Sequence, residues 1–388
     1  MNRPILKVKD VYRLLAWYRT NKRDLPWRHT NDPYRIWVSE IMLQQTRVEA
    51  VKPYYASFLS KYPDVKALAE AKEDDLTRIW EGLGYYSRVR NMHKAAMEVN
   101  ASCGGLFPVS YEVLLTLPGI GSYTAGAVAS IAGGENVPAV DGNVLRVYTR
   151  IMADDGCISD AKTVKRIREE IAVLMHKAGE ASEKGCAKIE KGCVESEKGC
   201  AEKNDGDLSY RPGDFNAAMM EVGATVCLPN GEPKCGECPF AGVCRAYKEG
   251  RIGEYPKKAA KAKRRIENRT VFVLESTRGI ALKKRPGKGL LAGMYELPAA
   301  EGFLTKKQAS SYIEGLGYHP VRIREIEEST HVFSHIEWHM KAFHAVVDDI
   351  ADPSVYDPAN GIFFVTKEER KEGYALPSAF KAYKKYIF

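Results

Sequence analysis

Two carboxylates and four cysteines are the residues of this chain whose types and surroundings could do chemistry. Glu40 lies in WVSEIMLQQT, inside an otherwise apolar helical segment. Burial there would disfavour the charged carboxylate, raise its pKa and keep a proton in hand for general acid work. A glutamate on a solvated helix face is the competing reading. Asp141 stands in PAVDGNVLRV, where it can cap the next helix, act as a second active carboxylate, or do both. Cleaving an N-glycosidic bond needs one acid for the leaving base and one carboxylate against the developing oxocarbenium ion. Spacing alone does not pair two residues so far apart in sequence.

Cys227, Cys235, Cys238 and Cys244 fall within 18 residues, separated by seven, two and five others. Four thiolates in that span suit a tetrahedral zinc or an iron–sulfur cluster. Zinc sites more often pair two Cys-x2-Cys knuckles, and only one such pair is present. Lys234, Arg245 and Lys248 add positive charge around it. A third motif, LPGIGSYTAGA over 117–127, reads as a helix end, a tight turn at Gly119 and Gly121, and a new helix that Ser122 can cap. Such a helix-hairpin-helix offers free backbone N–H groups to a phosphate, and glycine lets the sugar-phosphate backbone approach.

The elements that must position these residues divide the chain. Residues 1 to about 177 read as short helices, with Asp32-Pro33 as a cap and start and later helices over 48–61, 88–102, 111–116, 122–132, 143–152 and 161–177. Residues 178–207 contain three seven-residue repeats of the type EKGC, with Cys186, Cys193 and Cys200. Each glycine costs a helix roughly 1 kcal/mol against alanine, so this stretch reads as a surface insertion with no essential role. Residues 1–250 thus form a helical region, 251–268 a basic linker and 269–388 an α+β domain. Its strands are RTVFVLE, GIALKKR and the long stretch HVFSHIEWHMKAFHAVV, with a helix around Lys306–Gly315.

A chain of 388 residues with 45% hydrophobic and 28% charged residues reads as soluble and multidomain. No membrane span and no secretory signal are expected, and with them a cytoplasmic setting. The net charge of +8 favours a polyanionic partner only mildly. Nine cysteines are too few and too unevenly placed for a disulfide scaffold, so the clustered four point to a metal or cluster site.

Taken in order, PWRHTNDPYRIWVSEIMLQQTRVEAV, GLGYYSRVRN, LPGIGSYTAGAV and PAVDGNVLRV resemble the helix-hairpin-helix base-excision superfamily that includes endonuclease III. In detail they are most similar to MutY-type adenine DNA glycosylases. The resemblance implies an all-α helix-hairpin-helix core with a 4Fe–4S cluster on Cys227, Cys235, Cys238 and Cys244, plus a Nudix-like α+β C-terminal domain. It implies a monomer acting on double-stranded DNA that carries adenine opposite 8-oxoguanine or guanine. Glu40 matches the catalytic glutamate and Asp141 the aspartate that stabilises the oxocarbenium ion. Tyr123 stands where bifunctional relatives carry a lysine nucleophile, so a monofunctional glycosylase is expected.

Trp27 and Arg28 fall at the adenine pocket by the same resemblance. Gln44, Gln45 and Thr46 correspond to residues that enter the duplex, and Tyr85 to an aromatic wedge. Gly119, Gly121, Ser122 and Asn143 join the DNA-contacting set. Phe333, Ser334 and His335 match the loop that inspects the base opposite adenine, although a strand with Val332, Ser334 and Ile336 on one face is also readable. A catalytic Nudix motif needs a carboxylate cluster that KKQASSYIEGLGY does not carry, so pyrophosphohydrolysis is not expected. The sequence departs from the family in its first cysteine spacing, seven where six is common, and in the heptad insertion. An endonuclease III-like lyase and a non-enzymatic DNA-binding protein with a structural zinc are the rival readings.

Overall fold

The computed structural model describes residues 6–183, 209–260, 263–348, 361–374 and 376–387. Cys186, Cys193 and Cys200 lie outside the described residues, with most of the expected insertion. Packing divides the chain into two compact units. One takes Met1–Val48, Asp64–Lys66 and Ala95–Ala260, the other Glu49–Pro63, Ala67–Lys94 and Lys261–Phe388.

The first unit is helical, and its helix ends follow the capping residues. Asp32 accepts from the backbone N–H groups of Tyr34 and Arg35, with Pro33 at the first helical position of Pro33–Leu43. Asp141 caps Gly142–Met152 by accepting from the Val144 N–H at 2.8 Å. Between Tyr111–Thr116 and Ser122–Ile131, Gly119 takes φ +77°, a conformation glycine adopts without penalty. The expected cap at Ser122 is corrected. Gly121 occupies the cap position with an extended backbone, Ser122 is already helical, and no side chain caps this end. The first N–H groups of the helix therefore lack an intrahelical acceptor.

Gly142–Met152 is buried from Val144 onward, because Pro212–Thr225, Ala161–Glu183 and Arg245–Lys248 all pack on it. The helix expected to stop at 177 runs on to Glu183. Ala178 is fully buried, and Gly179 lies close to the Asn136 side chain, so this glycine serves packing rather than termination. Gly126, inside Ser122–Ile131, has a similar purpose. A Cβ there would lie 2.4 Å from the Pro138 carbonyl oxygen, so the glycine lets the segment leading to Asp141 rest directly on the hairpin helix. Gly126→Ala is expected to destabilise the protein by about 1–3 kcal/mol through overpacking, despite alanine's better helix propensity. A urea midpoint equal to that of the wild type would contradict the close packing.

The second unit holds a seven-stranded sheet: β1 (Arg265–Ser276), β2 (Gly279–Lys284), β3 (Tyr295–Glu296), β4 (Ala299–Glu301), β5 (Pro320–Val332), β6 (Ile336–Val347) and β7 (Ile362–Val365). The order is β3-β2-β1-β6-β5, with β4 beside β1 and β7 beside β2. Only β1 and β6 run parallel among the described pairs. The helix Lys306–Gly315 starts with a capping box between Thr305 and Gln308 and covers one face through Ala309 and Ile313. Trp338, Met340, Phe380 and Tyr383 pack the other.

Three sequence expectations change here. The long stretch 331–347 is two strands rather than one, and Phe333, Ser334 and His335 fall in the turn between β5 and β6, in keeping with their reading as a loop and against the continuous strand. The Phe333 N–H donates to the Ile336 carbonyl at 2.8 Å and closes that turn. The expected linker 251–268 ends inside β1, because Arg265 to Asn268 already pair with β6. Residues 49–63 and 67–94, expected in the helical region, pack instead with the sheet. Arg90 Nη1 donates to the Ala292 carbonyl (2.6 Å), and Lys284 and Lys384 reach Asp74 (3.2 Å) and Glu81 (3.4 Å). Among the described residues no helix is long and apolar enough to cross a membrane.

Candidate active site

A cleft of about 1070 Å³ opens in the first unit. Glu40, Tyr123 and Asp141 line it, together with Trp27, Arg28, Gln44, Gln45, Thr46, Gly121 and Asn143. Residues from distant parts of the sequence thus meet at one place, which spacing could not reveal. Gly119 and Ser122 stay in the hairpin without lining the cleft. Tyr85, Phe333, Ser334 and His335 belong to the second unit.

Glu40 is buried, 6% exposed, on the helix Pro33–Leu43. The Tyr123 hydroxyl donates to its Oε2 at 2.5 Å and lies 3.3 Å from Met220 Sδ. Burial pushes the Glu40 pKa up to about 7, and the nearby Asp141 adds to the rise. The Tyr123 hydrogen bond and the Arg28 charge oppose it without prevailing. Tyr123 is itself pushed well above the usual phenol range by burial and by the two carboxylates. Asp141 Oδ1 accepts from the Val144 N–H, and Oδ2 accepts from Asn143 Nδ2 at 2.7 Å. Burial raises its pKa too, outweighing those hydrogen bonds. The arrangement places a carboxyl that holds its proton near neutral pH in one cleft with a second carboxylate.

Arg28 lines the cleft, but its guanidinium is committed elsewhere. Nη2 donates to Glu221 Oε2 (2.6 Å), Nη1 to the Arg23 carbonyl (2.8 Å), and the group lies 5.5 Å from the Tyr18 ring centroid. Arg23 grips the same carboxylate through Nε and Nη2, each at 2.8 Å. Burial alone would raise the Glu221 pKa, yet the two arginines hold it down to about 2. Sequence reasoning missed Glu221, although it sits in NAAMMEVGAT with the same apolar-helix signature as Glu40.

Gln44 ends its helix and reaches Thr124 Oγ1 at 3.5 Å, and Thr46 Oγ1 donates to the Gln44 carbonyl at 3.3 Å. Gln45 is exposed and takes φ +56°. In the second unit Tyr85 takes φ +49°, and its hydroxyl lies 3.2 Å from the Ser334 hydroxyl. Ser334 and His335 are exposed, whereas the Phe333 ring packs edge-on against Trp338 at 4.9 Å.

Cys227, Cys235, Cys238 and Cys244 line one small cavity with Val147, Phe240 and Ile252. None is in a disulfide. Arg150 Nη1 donates to Cys227 Sγ at 3.3 Å, a contact the sequence did not announce. Burial, then the other three cysteines, push the Cys238 thiol up to about 12 despite an opposing backbone hydrogen bond from Phe240. A positive centre among the four sulfurs would reverse that penalty. Among the described residues no three Cys, His, Asp or Glu side chains are gathered closely enough for a single metal ion.

Residues 38–174 match the HhH-GPD superfamily of base excision DNA repair proteins, and residues 270–386 match the NUDIX domain. The class defined by fold and site is thus a helix-hairpin-helix base-excision protein with a Nudix-like sheet. Adenine DNA glycosylases of Mus musculus and Homo sapiens are 32% and 31% identical, each over 92% of this chain and over 73% and 70% of their own length. That of Arabidopsis thaliana is 35% identical over 83% of this chain, which spans 55% of that relative. The chain belongs to the adenine DNA glycosylase family.

Proposed function

We propose that this protein flips adenine out of duplex DNA where it is mispaired with 8-oxoguanine or guanine, and hydrolyses its glycosidic bond. The observation that carries this reading is the buried Glu40, held by Tyr123 and keeping a proton up to about pH 7 in one cleft with Asp141. Glu40 donates that proton to the departing base, then serves as base for the attacking water. Asp141 faces the developing oxocarbenium ion, oriented by Val144 and Asn143. Trp27 and Arg28 border the space for the flipped base. Tyr123 carries no amine for a Schiff base with the sugar, so the product is an abasic site in an uncut strand.

The uncapped start of Ser122–Ile131 with Gly119 and Gly121 would take a DNA phosphate. Gln45 and Tyr85 both hold backbone conformations that cost a side-chain-bearing residue on the order of 1–3 kcal/mol, a strain that supports their entry into the duplex. Gln44 and Thr46 flank that entry, and Ser334 and His335 would read the opposite base. The four cysteines would hold a 4Fe–4S cluster. The single Cys-x2-Cys pair favours that cluster over zinc, whose sites more often join two such knuckles. Bound there, the cluster supplies structure to the basic loop around Lys234, Arg245 and Lys248 rather than electrons to a hydrolysis. The protein acts as a monomer in the reducing cytoplasm, where such cysteines stay out of disulfides and available to a cluster.

Single-turnover adenine release from duplexes with A opposite 8-oxoguanine, G, C or T tests this reading. Release should be fast opposite 8-oxoguanine, slower opposite G and nearly absent opposite T, and borohydride should trap almost no DNA. No release from any duplex would refute the substrate, and high-yield trapping would move the chain to the lyases.

A further inference from the structure

Tyr85 ends a turn of unusual backbone: Gly82, Gly84 and Tyr85 have φ +103°, +70° and +49°. Glycine takes such values freely, but tyrosine needs its surroundings to hold it there. Tyr85 is 47% exposed, so burial does not supply the restraint.

Arg88 does. It lies one turn further on, in the helix Ser87–Ser102, and is buried to 8% exposure. Its Nη2 donates to the carbonyl oxygens of Leu83 (3.1 Å) and Gly84 (3.0 Å), and its backbone N–H donates to the Tyr85 carbonyl (2.9 Å). The guanidinium lies 5.7 Å from the Tyr85 ring centroid and 5.3 Å from that of Trp80. Trp80 Nε1 also donates to the Gly84 carbonyl, at 3.1 Å. One buried cation thus grips consecutive carbonyls of the turn and stands beside the ring that the turn presents. The ring's hydroxyl in turn meets Ser334 at 3.2 Å.

We propose that Arg88 is a positioning residue for lesion recognition: it fixes the Gly82–Tyr85 turn so that Tyr85 is presented beside Ser334 before DNA arrives. This rests on the reading of Tyr85 and Ser334 as contacts to the base opposite adenine. A preset aromatic side chain binds without the ordering cost that a free one incurs. The advantage falls where the opposite base is inspected, so its loss appears in discrimination and not in bond cleavage. Lysine is a poor substitute, since a compact ammonium lacks the planar guanidinium face that stands beside the Trp80 and Tyr85 rings.

The test uses the full chain with Arg88→Met, Arg88→Lys, Tyr85→Leu and the Arg88→Met/Tyr85→Leu pair, each checked for folding by thermal melting. Binding is measured on duplexes with a non-hydrolysable 2′-fluoroadenosine opposite 8-oxoguanine or G, and cleavage as the single-turnover rate at saturating enzyme. Arg88→Met should weaken binding opposite 8-oxoguanine by about tenfold and narrow the preference over G, with the saturated rate within about threefold. Arg88→Lys should fall between Arg88→Met and wild type. In the Tyr85→Leu background Arg88→Met should cost no further discrimination, whereas a general structural role would add its loss in full. An unchanged preference in either folded Arg88 variant overturns the proposal, as does additivity in the pair. A wild-type protein with no preference for 8-oxoguanine would instead overturn the reading of the recognition loop.

Discussion

Glu40→Gln is expected to slow adenine release on the order of a thousandfold while leaving DNA binding intact. The amide preserves shape and still accepts the Tyr123 hydrogen bond, but it has no proton to give to the leaving base, and general acid–base catalysis contributes roughly 10²–10⁴-fold. In the wild type the same group sets the pH profile. With a pKa of about 7, the single-turnover rate should be level below neutrality and fall nearly tenfold per pH unit above it. The variant should lose that break. A variant within tenfold of wild type, or a wild-type rate flat to pH 9, would remove Glu40 from the acid role.

The same pKa has a consequence for stability. The unfolded carboxyl ionises near 4.5 and the folded one near 7, so the native state binds the proton more tightly. Glu40 therefore costs stability progressively as pH rises from 4.5 to 7, and at pH 8 the cost reaches about 3 kcal/mol at 1.36 kcal/mol per pKa unit. Glu40→Gln should thus be more stable than wild type at pH 8 and close to it at pH 4. The catalytic carboxyl destabilises the protein in the pH range where it works.

Helix starts at Asp32 and Asp141 were legible in the sequence because capping is local, and so was the hairpin turn at Gly119. Ser122 was misplaced as a cap because Gly121 can take the cap conformation one residue earlier. The break of 331–347 at Phe333–His335 was legible only through the family resemblance, because Phe333 is apolar and the local pattern continues as strand, while the turn is closed by the backbone hydrogen bond from Phe333 to Ile336. Grouping 49–63 and 67–94 with the sheet depends on ion pairs and a carbonyl contact across hundreds of positions, which no local pattern encodes. In the site, the family resemblance supplied Glu40, Asp141 and Tyr123, and the cleft supplied their convergence.

Glu221 is the instructive omission, and Glu221→Gln is the second large effect expected. Removing one partner of a buried ion pair typically costs 3–5 kcal/mol, because the remaining charges are left desolvated. Here two guanidiniums, Arg23 and Arg28, share a carboxylate with no exposed side-chain surface. The folded pKa of about 2 lies below the unfolded value near 4.5. The pair's contribution is therefore complete above pH 4.5 and is lost as pH falls towards 2. The difference in urea stability between wild type and Glu221→Gln should be largest near neutrality and shrink in acid, opposite in sign and window to the Glu40 effect. Two glutamates with the same sequence signature part company because one faces arginines and the other a tyrosine and an aspartate. They also communicate. Arg28 lowers the Glu40 pKa, and Glu221 neutralises Arg28, so Glu221→Gln exposes Glu40 to a stronger positive field. In the folded variant the break in the pH–rate profile should move below that of wild type. A break that stays in place or moves upward would mean that Arg28 does not act on Glu40 through the cleft.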